Sequence, residues 1–210
     1  MGISKKITAG TAVAATAALG LGMAITPATA KAGNDSLGSV LLADGDEFDS
    51  NGKDYDIVTQ AALAVIGADS KSPVALLTDG TKRATVFAPQ DRAFVKLVKD
   101  LGLPATSEQV AFESIAGALS IDQIENILLY HVVAGKTITG KQAAKANGAK
   151  LKTAQGGKLT IKVKKGKIQV VDQNKGFPTA RVVQANINKG NKQIAHGINA
   201  VLVPKAGLMG

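Results

Sequence analysis

Polar and apolar residues alternate along Lys158–Lys164 (KLTIKVK): Leu159, Ile161 and Val163 fall to one side, and Lys158, Thr160, Lys162 and Lys164 to the other. A period of two predicts a half-buried strand. Lys165-Gly166 marks a tight turn, and KIQVVD returns with Ile168 and Val170 on the apolar side, which completes a hairpin. RVVQANI (181–187) and IAHGINAVLVP (194–204) predict further strands. Gly156-Gly157 reads as a hairpin turn ahead of the alternating strand.

Upstream the period lengthens. Tyr55, Val58, Ala62 and Val65 recur at helical steps, with Gly67 placed to end the helix. TVFA (85–88) is a short buried strand stopped by Pro89; Asp91 then caps a helix carrying Phe94, Val95, Val98 and Leu101, closed by Gly102. Thr106 with Gln109 and Ser120 with Gln123 are capping-box pairs. The second opens a helix with Ile121, Ile124, Ile127 and Leu128 on its apolar face, and this feeds a β-branched, strand-like YHVV (130–133). A short helix near Gln142–Ala146 precedes Asn147-Gly148. Helices come first and strands after, so the class is α+β with a mostly antiparallel sheet as the core.

The first thirty residues stand apart. Lys5 and Lys6 precede an uncharged run from about Ala9 to Ile25, and small residues follow at Ala28-Thr29-Ala30. That order is a secretory signal peptide, residues 1–30. Its removal would leave 180 of the 210 residues, enough for one domain without disulfides. The chain has no cysteine, which excludes thiol catalysis and Cys-based zinc sites and suits a bacterial exported protein. No later apolar run is long enough to span a bilayer. The expected location is extracellular, released or associated with the cell wall.

Charge is unevenly placed. Asp35–Asp56 holds seven acids and one lysine, whereas Lys136–Lys175 holds eleven lysines and one acid, Asp172. Residues 31–54 read as a loose acidic leader, and 55–205 as the folded domain. In the acidic stretch, an EF-hand register from Asp44 puts Phe48 fifth and Asp49 sixth, and one from Asp49 puts Lys53 fifth and Asp54 sixth. Neither fits the alternating ligands and sixth-position glycine that calcium loops use, so no metal site is expected.

The chain carries no recognisable catalytic motif. There is no G-x-S-x-G elbow, no H-E-x-x-H and no phosphate-cradling loop, and the two histidines lie sixty-five residues apart. The acids between Asp79 and Glu125 fall at capping or outward helix positions. No cofactor is implied. The pI is about 9.7, but with two Tyr, five Phe and no Trp the chain lacks the interleaved aromatics of single-strand binders, so nucleic acid is not the expected partner.

TVFAPQDRAF (Thr85–Phe94), LLYHVVAGK (Leu128–Lys136) and IAHGINAVLVP (Ile194–Pro204) resemble, in order and spacing, the first block, the Tyr-His motif and the second block of fasciclin-like domains. The resemblance covers about Tyr55 to Pro204. It implies a wedge-like α+β fold, a mostly antiparallel β-sandwich core with several helices packed on one side, and a non-enzymatic role in cell adhesion or surface interaction. The family's Tyr-His motif maps onto Tyr130 and His131. There are departures: Asn191-Lys192-Gln193 replaces an expected Asn-Gly, Gly197 follows His196, and amides stand at Asn186 and Asn199 where the family usually carries carboxylates.

Tyr130-His131 reads first as a polar fitting inside the core, with His131 neutral and bonded to backbone, and second as a partner contact. Candidate partner-binding residues are therefore Tyr130, His131, Lys158, Lys162, Lys164, Lys165 and Lys167. The expected partner is an extracellular protein or an anionic cell-wall or matrix polymer. An extracellular hydrolase acting on polysaccharide or ester, and a self-associating surface component, are the alternatives.

Overall fold

A computed structural model describes residues 32–43, 47–206 and 208; the signal peptide reading (1–30) and residues 44–46 of the acidic stretch lie outside them. A short helix α1 (Leu37–Ala43) precedes α2 (Asp56–Ala68), a 3-10 helix (Pro73–Thr78) and β1 (Ala84–Pro89). Then come α3 (Asp91–Asp100), α4 (Glu108–Ala118), α5 (Ile121–Tyr130), β2 (Val132–Ala134) and α6 (Gly140–Lys145). The chain closes with β3 (Lys150–Lys152), β4 (Lys158–Lys164), β5 (Lys167–Val171), β6 (Ala180–Ile187) and β7 (Gln193–Ile198).

The seven strands form one sheet in the order β2-β1-β7-β6-β5-β4-β3. Every pairing is antiparallel except β1 with β7, which runs parallel from Ala84↔Gln193 to Pro89↔Ile198. Register shifts between Val182, Gln184 and Ile187 break the β6–β7 ladder, and such irregularities bend a strand. The two halves of the sheet thereby close over a cluster built from both: Phe87 and Ile198 from one, Leu151, Leu159, Ile161 and Val170 from the other. The opposite side of β1 and β7 (Val86, Ala88, Ala195) packs on the helices with Ile57, Phe94, Val98 and Ile127. Every residue of β1 and β7 is buried, because both faces of these strands are covered. Each large apolar side chain so buried contributes about 1.5–3 kcal/mol.

Several local readings need correction. The helix after Leu119 runs on through Tyr130, with His131 as its C-cap, so Tyr130-His131 sits at a helix end and not on a strand. Ser120 and Gln123 do form a reciprocal capping box. In α4, Ser107 rather than Thr106 is the N-cap, accepting from Val110 N–H. Gly67 lies inside α2, which ends at Ala68 with an extended Asp69. Asp91 caps a helix, but not its own: its carboxylate accepts from Asp56 N–H at 3.0 Å and Ile57 N–H at 2.8 Å, at the start of α2. Gly102 does end α3, at φ +75°, where its N–H reaches Lys99 O and Leu103 N–H reaches Val98 O.

The segment read as a loose leader is docked where it is described. Gly33 bridges Asn191, and Leu37, fully buried, donates its N–H to Gln193 Oε1 at 2.8 Å. Gln193 is itself fully buried and donates onward to Leu76 O and Asp79 O. The residue that departs from the family pattern is thus the clamp for the N-terminal helix. Gly197 has a similar reason, since a Cβ there would lie 2.1 Å from the Tyr55 hydroxyl.

Candidate functional site: a lysine-covered sheet face

The alternation in KLTIKVK decides what this face shows. Leu159 and Ile161 point inward and are buried, so Lys158, Lys162 and Lys164 stand outward and are exposed. Paired residues in adjacent strands share a face, so β3 adds Lys150 and Lys152, and β5 adds Lys167. The rows read Lys152–Lys158, then Lys150–Thr160–Val171, then Lys162–Gln169–Arg181, then Lys164–Lys167. Lateral neighbours are about 5 Å apart and successive rows about 7 Å apart along the strands.

Lys165 adds a further cation at the hairpin tip. It adopts φ +50° and Gly166 φ +73°, the paired left-handed backbone of a type I′ turn. A lysine in that conformation is unusual, because its Cβ crowds the following carbonyl.

Among the described residues no carboxylate forms an ion pair with these lysines; the ion pair there is Lys96–Asp100, on α3. Asp172, the one acid in the lysine-rich region, turns inward: its oxygens accept from Val203 N–H at 3.0 Å and Asn174 N–H at 3.1 Å. Burial raises its pKa, against those bonds.

The other sequence candidates lie beneath this surface. Tyr130 is fully buried and His131 is 3% exposed. Tyr130 Oη donates to Lys158 O at 3.1 Å and accepts from Gln173 N–H at 3.2 Å, so it anchors both ends of the lysine hairpin. Burial pushes its pKa up. Gly157 makes room for the ring, since a Cβ there would sit 2.6 Å from Tyr130 Cε2. The structure therefore brings Tyr130 and the lysines together in two layers, exposed lysines above and Tyr130 as their footing, whereas His131 bonds instead to Ile127 and Leu202.

Both imidazoles bridge two backbone groups, in opposite tautomers. His131 Nδ1–H donates to Ile127 O at 2.8 Å while Nε2 accepts from Leu202 N–H at 2.9 Å. His196 Nε2–H donates to Ile138 O at 2.8 Å while Nδ1 accepts from Asn186 N–H at 3.3 Å. Burial is the main reason both pKa values fall, that of His131 to about 4. Neither ring has a nitrogen left to act as a general base.

Sequence reasoning missed a second cluster. Oxygens of Asp49, Asp54, Asp56 and Glu108 lie within 4.8 Å of one another, and Asp56 and Glu108 are buried. Glu108 Oε2 accepts from Asp49 N–H at 3.1 Å. Desolvation first, and the neighbouring acids after it, raise the pKa of Glu108. Asp91, beside them, is held up to about 8 by burial and by a hydrogen bond shared with Asp54. An oxygen set of this kind suits a hard cation, with Asp49, Asp54, Asp56 and Glu108 as its ligands, or else shared protons. Spacing gave no sign of it, because Glu108 comes from a distant helix.

A bent antiparallel sheet with one parallel pair, buried imidazoles and an exposed cationic face define the class of fold. Residues 61–204 match the family model described as Fasciclin domain, and the chain belongs to that family. Fasciclin domains are adhesion and interaction modules, and the family is typically non-catalytic. The chain is 38% identical over 120 residues to Protein sll1483 of Synechocystis sp., a match covering 57% of this chain and 54% of that protein. It also resembles the solved FAS1 domain pair of the insect cell adhesion molecule Fasciclin I, with a TM-score of 0.50 and 16% identity, over 71% of this chain and 47% of that one. The chain thus spans about half the length of each relative.

Proposed function

We propose that this protein is an exported, non-enzymatic binding module that attaches to an anionic polymer of the cell wall or surrounding matrix through the outward face of β3–β5. One observation carries the reading: six lysines on one rigidly backed sheet face with no carboxylate among them. Like charges placed directly opposite, Lys152↔Lys158 and Lys164↔Lys167, oppose folding. A polyanion lying across the rows relieves that repulsion in both pairs. The buried, fully bonded imidazoles support binding without turnover. Residues 1–30 supply the route out of the cell.

The test is retention of the full chain on immobilised inorganic polyphosphate and on neutral dextran across a salt series. The expected result is retention on polyphosphate alone, falling steeply as salt rises, since exposed charges are screened within about 8 Å at physiological ionic strength. Replacing Lys162 and Lys164 with Gln should lower the salt at which the protein elutes. Retention that is equal on both supports, or indifferent to salt, overturns the reading.

A further inference from the structure

At its β6 border the lysine face runs into a cleft of about 350 Å³. Gln169 and Arg181, which share a row with Lys162, form one wall, and α3 forms the other through Lys96. Phe177 and Pro178 line the cleft, and Asn199 lines it beside them. We propose that this cleft takes one anionic pyranose unit, a sugar ring bearing a carboxylate or a phosphate, of the polymer that the lysine face attracts. The inference rests on the lysine-face reading and names the chemistry of its ligand.

Three features of the lining point there. The first is donors without partners. Among the described residues the guanidinium of Arg181 has no acceptor; only the Arg181 backbone is engaged, its N–H donating to Asn199 Oδ1 at 2.8 Å. That contact fixes which end of the Asn199 amide is oxygen and leaves its Nδ2–H₂ group free. The Gln169 amide is likewise without a partner among the described residues. A planar guanidinium suits bidentate capture of a carboxylate or phosphate, and amides suit ring hydroxyls.

The second is an apolar wall. Phe177, half-buried against the helix-side core, and Pro178 offer a flat surface to the C–H face of a pyranose. A bare phosphodiester chain has no such face to place there. The third is charge. The one carboxylate at the mouth, Asp100, is paired with Lys96 at 2.6 Å, so it leaves the cleft cationic through Arg181. A few convergent polar groups around an apolar platform, in a cavity of this size, are the usual features of a small-ligand site.

Binding of the full chain is measured by calorimetry at low salt with three probes: trigalacturonate, a phosphorylated maltotriose and inorganic polyphosphate. Both sugar probes are expected to bind, and the tighter of the two assigns the anion as carboxylate or phosphate. Arg181→Gln and Asn199→Asp should each weaken the sugar probes about tenfold, the loss of one charge-assisted contact, and leave polyphosphate within about twofold. Asn199→Asp keeps the acceptor for Arg181 N–H while replacing the free Nδ2–H₂ donor with a repelling charge, so an unchanged melting curve separates lost binding from lost fold. Replacing Lys162 and Lys164 with Gln should weaken all three probes. Cleft variants that weaken polyphosphate as much as the sugars, or leave the sugars unchanged, overturn the cleft. Wild-type protein that binds polyphosphate and neither sugar overturns the cleft alone. Protein that binds the sugars and not polyphosphate overturns the lysine face alone, and protein that binds none overturns both.

Discussion

Six lysines stand outward on β3–β5, and five carboxyl groups converge where α2 begins; both regions crowd like charge, yet they are built on opposite plans. The lysines are exposed, separated by the pleat of a sheet, and backed by Leu159, Ile161 and Val170 at 0–1% exposure. Their charge stays in water and faces outward. The acids Asp56, Asp91 and Glu108 are at most 5% exposed, and oxygens of Asp91 and Glu108 accept from backbone N–H groups. Burial there favours the neutral carboxyl and turns charge into hydrogen bonding. The comparison separates charge that holds the fold together from charge that the fold presents. Mutations should therefore act on stability in one region and on binding in the other.

The largest expected effect is at Asp91. Its carboxyl group serves two buried N–H groups at the start of α2. Asp91→Ala leaves both without a partner and removes the cap, at a cost of about 4 kcal/mol. Urea unfolding of the variant measures this, and a loss below about 1 kcal/mol would show that the acid cluster is not structural.

The pH dependence sharpens the contrast. His131 has to stay neutral, because Nε2 accepts from Leu202 N–H and a proton there would face another donor. The unfolded chain takes up that proton near pH 6.5, the folded chain only near 4. Stability from this ring is complete above pH 6.5 and falls by about 3 kcal/mol as pH drops to 4. Asp91 has the opposite sign: its folded pKa of about 8 exceeds the unfolded 3.8, so its contribution is lost as pH rises between those values. Between pH 4 and 6.5 the two slopes oppose each other. Asp91→Asn removes one of them, and its stability should then fall by about 3 kcal/mol between pH 6.5 and 4. A variant whose stability is flat across that window would sink the account of His131 as a neutral bridge between α5 and Leu202.

The two regions also differ in how far the sequence reveals them. The lysine face is local. Its strand, its turn and its inward residues all follow from a period of two, and only the three-residue β3 was too short to leave a pattern. The acid cluster depends on distant neighbours. Asp91 has the chemistry of a cap, yet nothing along the chain says that it caps α2 instead of α3. Tyr130-His131 reads as strand from the sequence because β-branched Val132 and Val133 follow it, whereas the apolar face of α5 continues one turn further to bury Tyr130. The docking of α1 depends on Gln193, some 150 residues away, although Leu37, Val40 and Leu41 already carry helical spacing.

The smallest expected effect bears most directly on the presented charge. Lys152 and Lys158 are directly opposite on β3 and β4, both exposed, and neither is ion-paired among the described residues. If this face exists for folding, neutralising one of them should be destabilising or neutral. If it exists for binding, the pair is a small liability in the free protein, and relieving it should stabilise the fold. Lys152→Thr puts a β-branched residue with good strand propensity beside Lys158 and removes one like-charge contact. The expected gain is a few tenths of a kcal/mol at low salt, vanishing as salt rises and the repulsion is screened. The same variant should elute from polyphosphate at lower salt than the parent. Opposite signs in the two measurements are what a surface kept for a partner requires. A variant that loses stability and keeps its retention would mean that the lysines serve the hairpin and not a ligand.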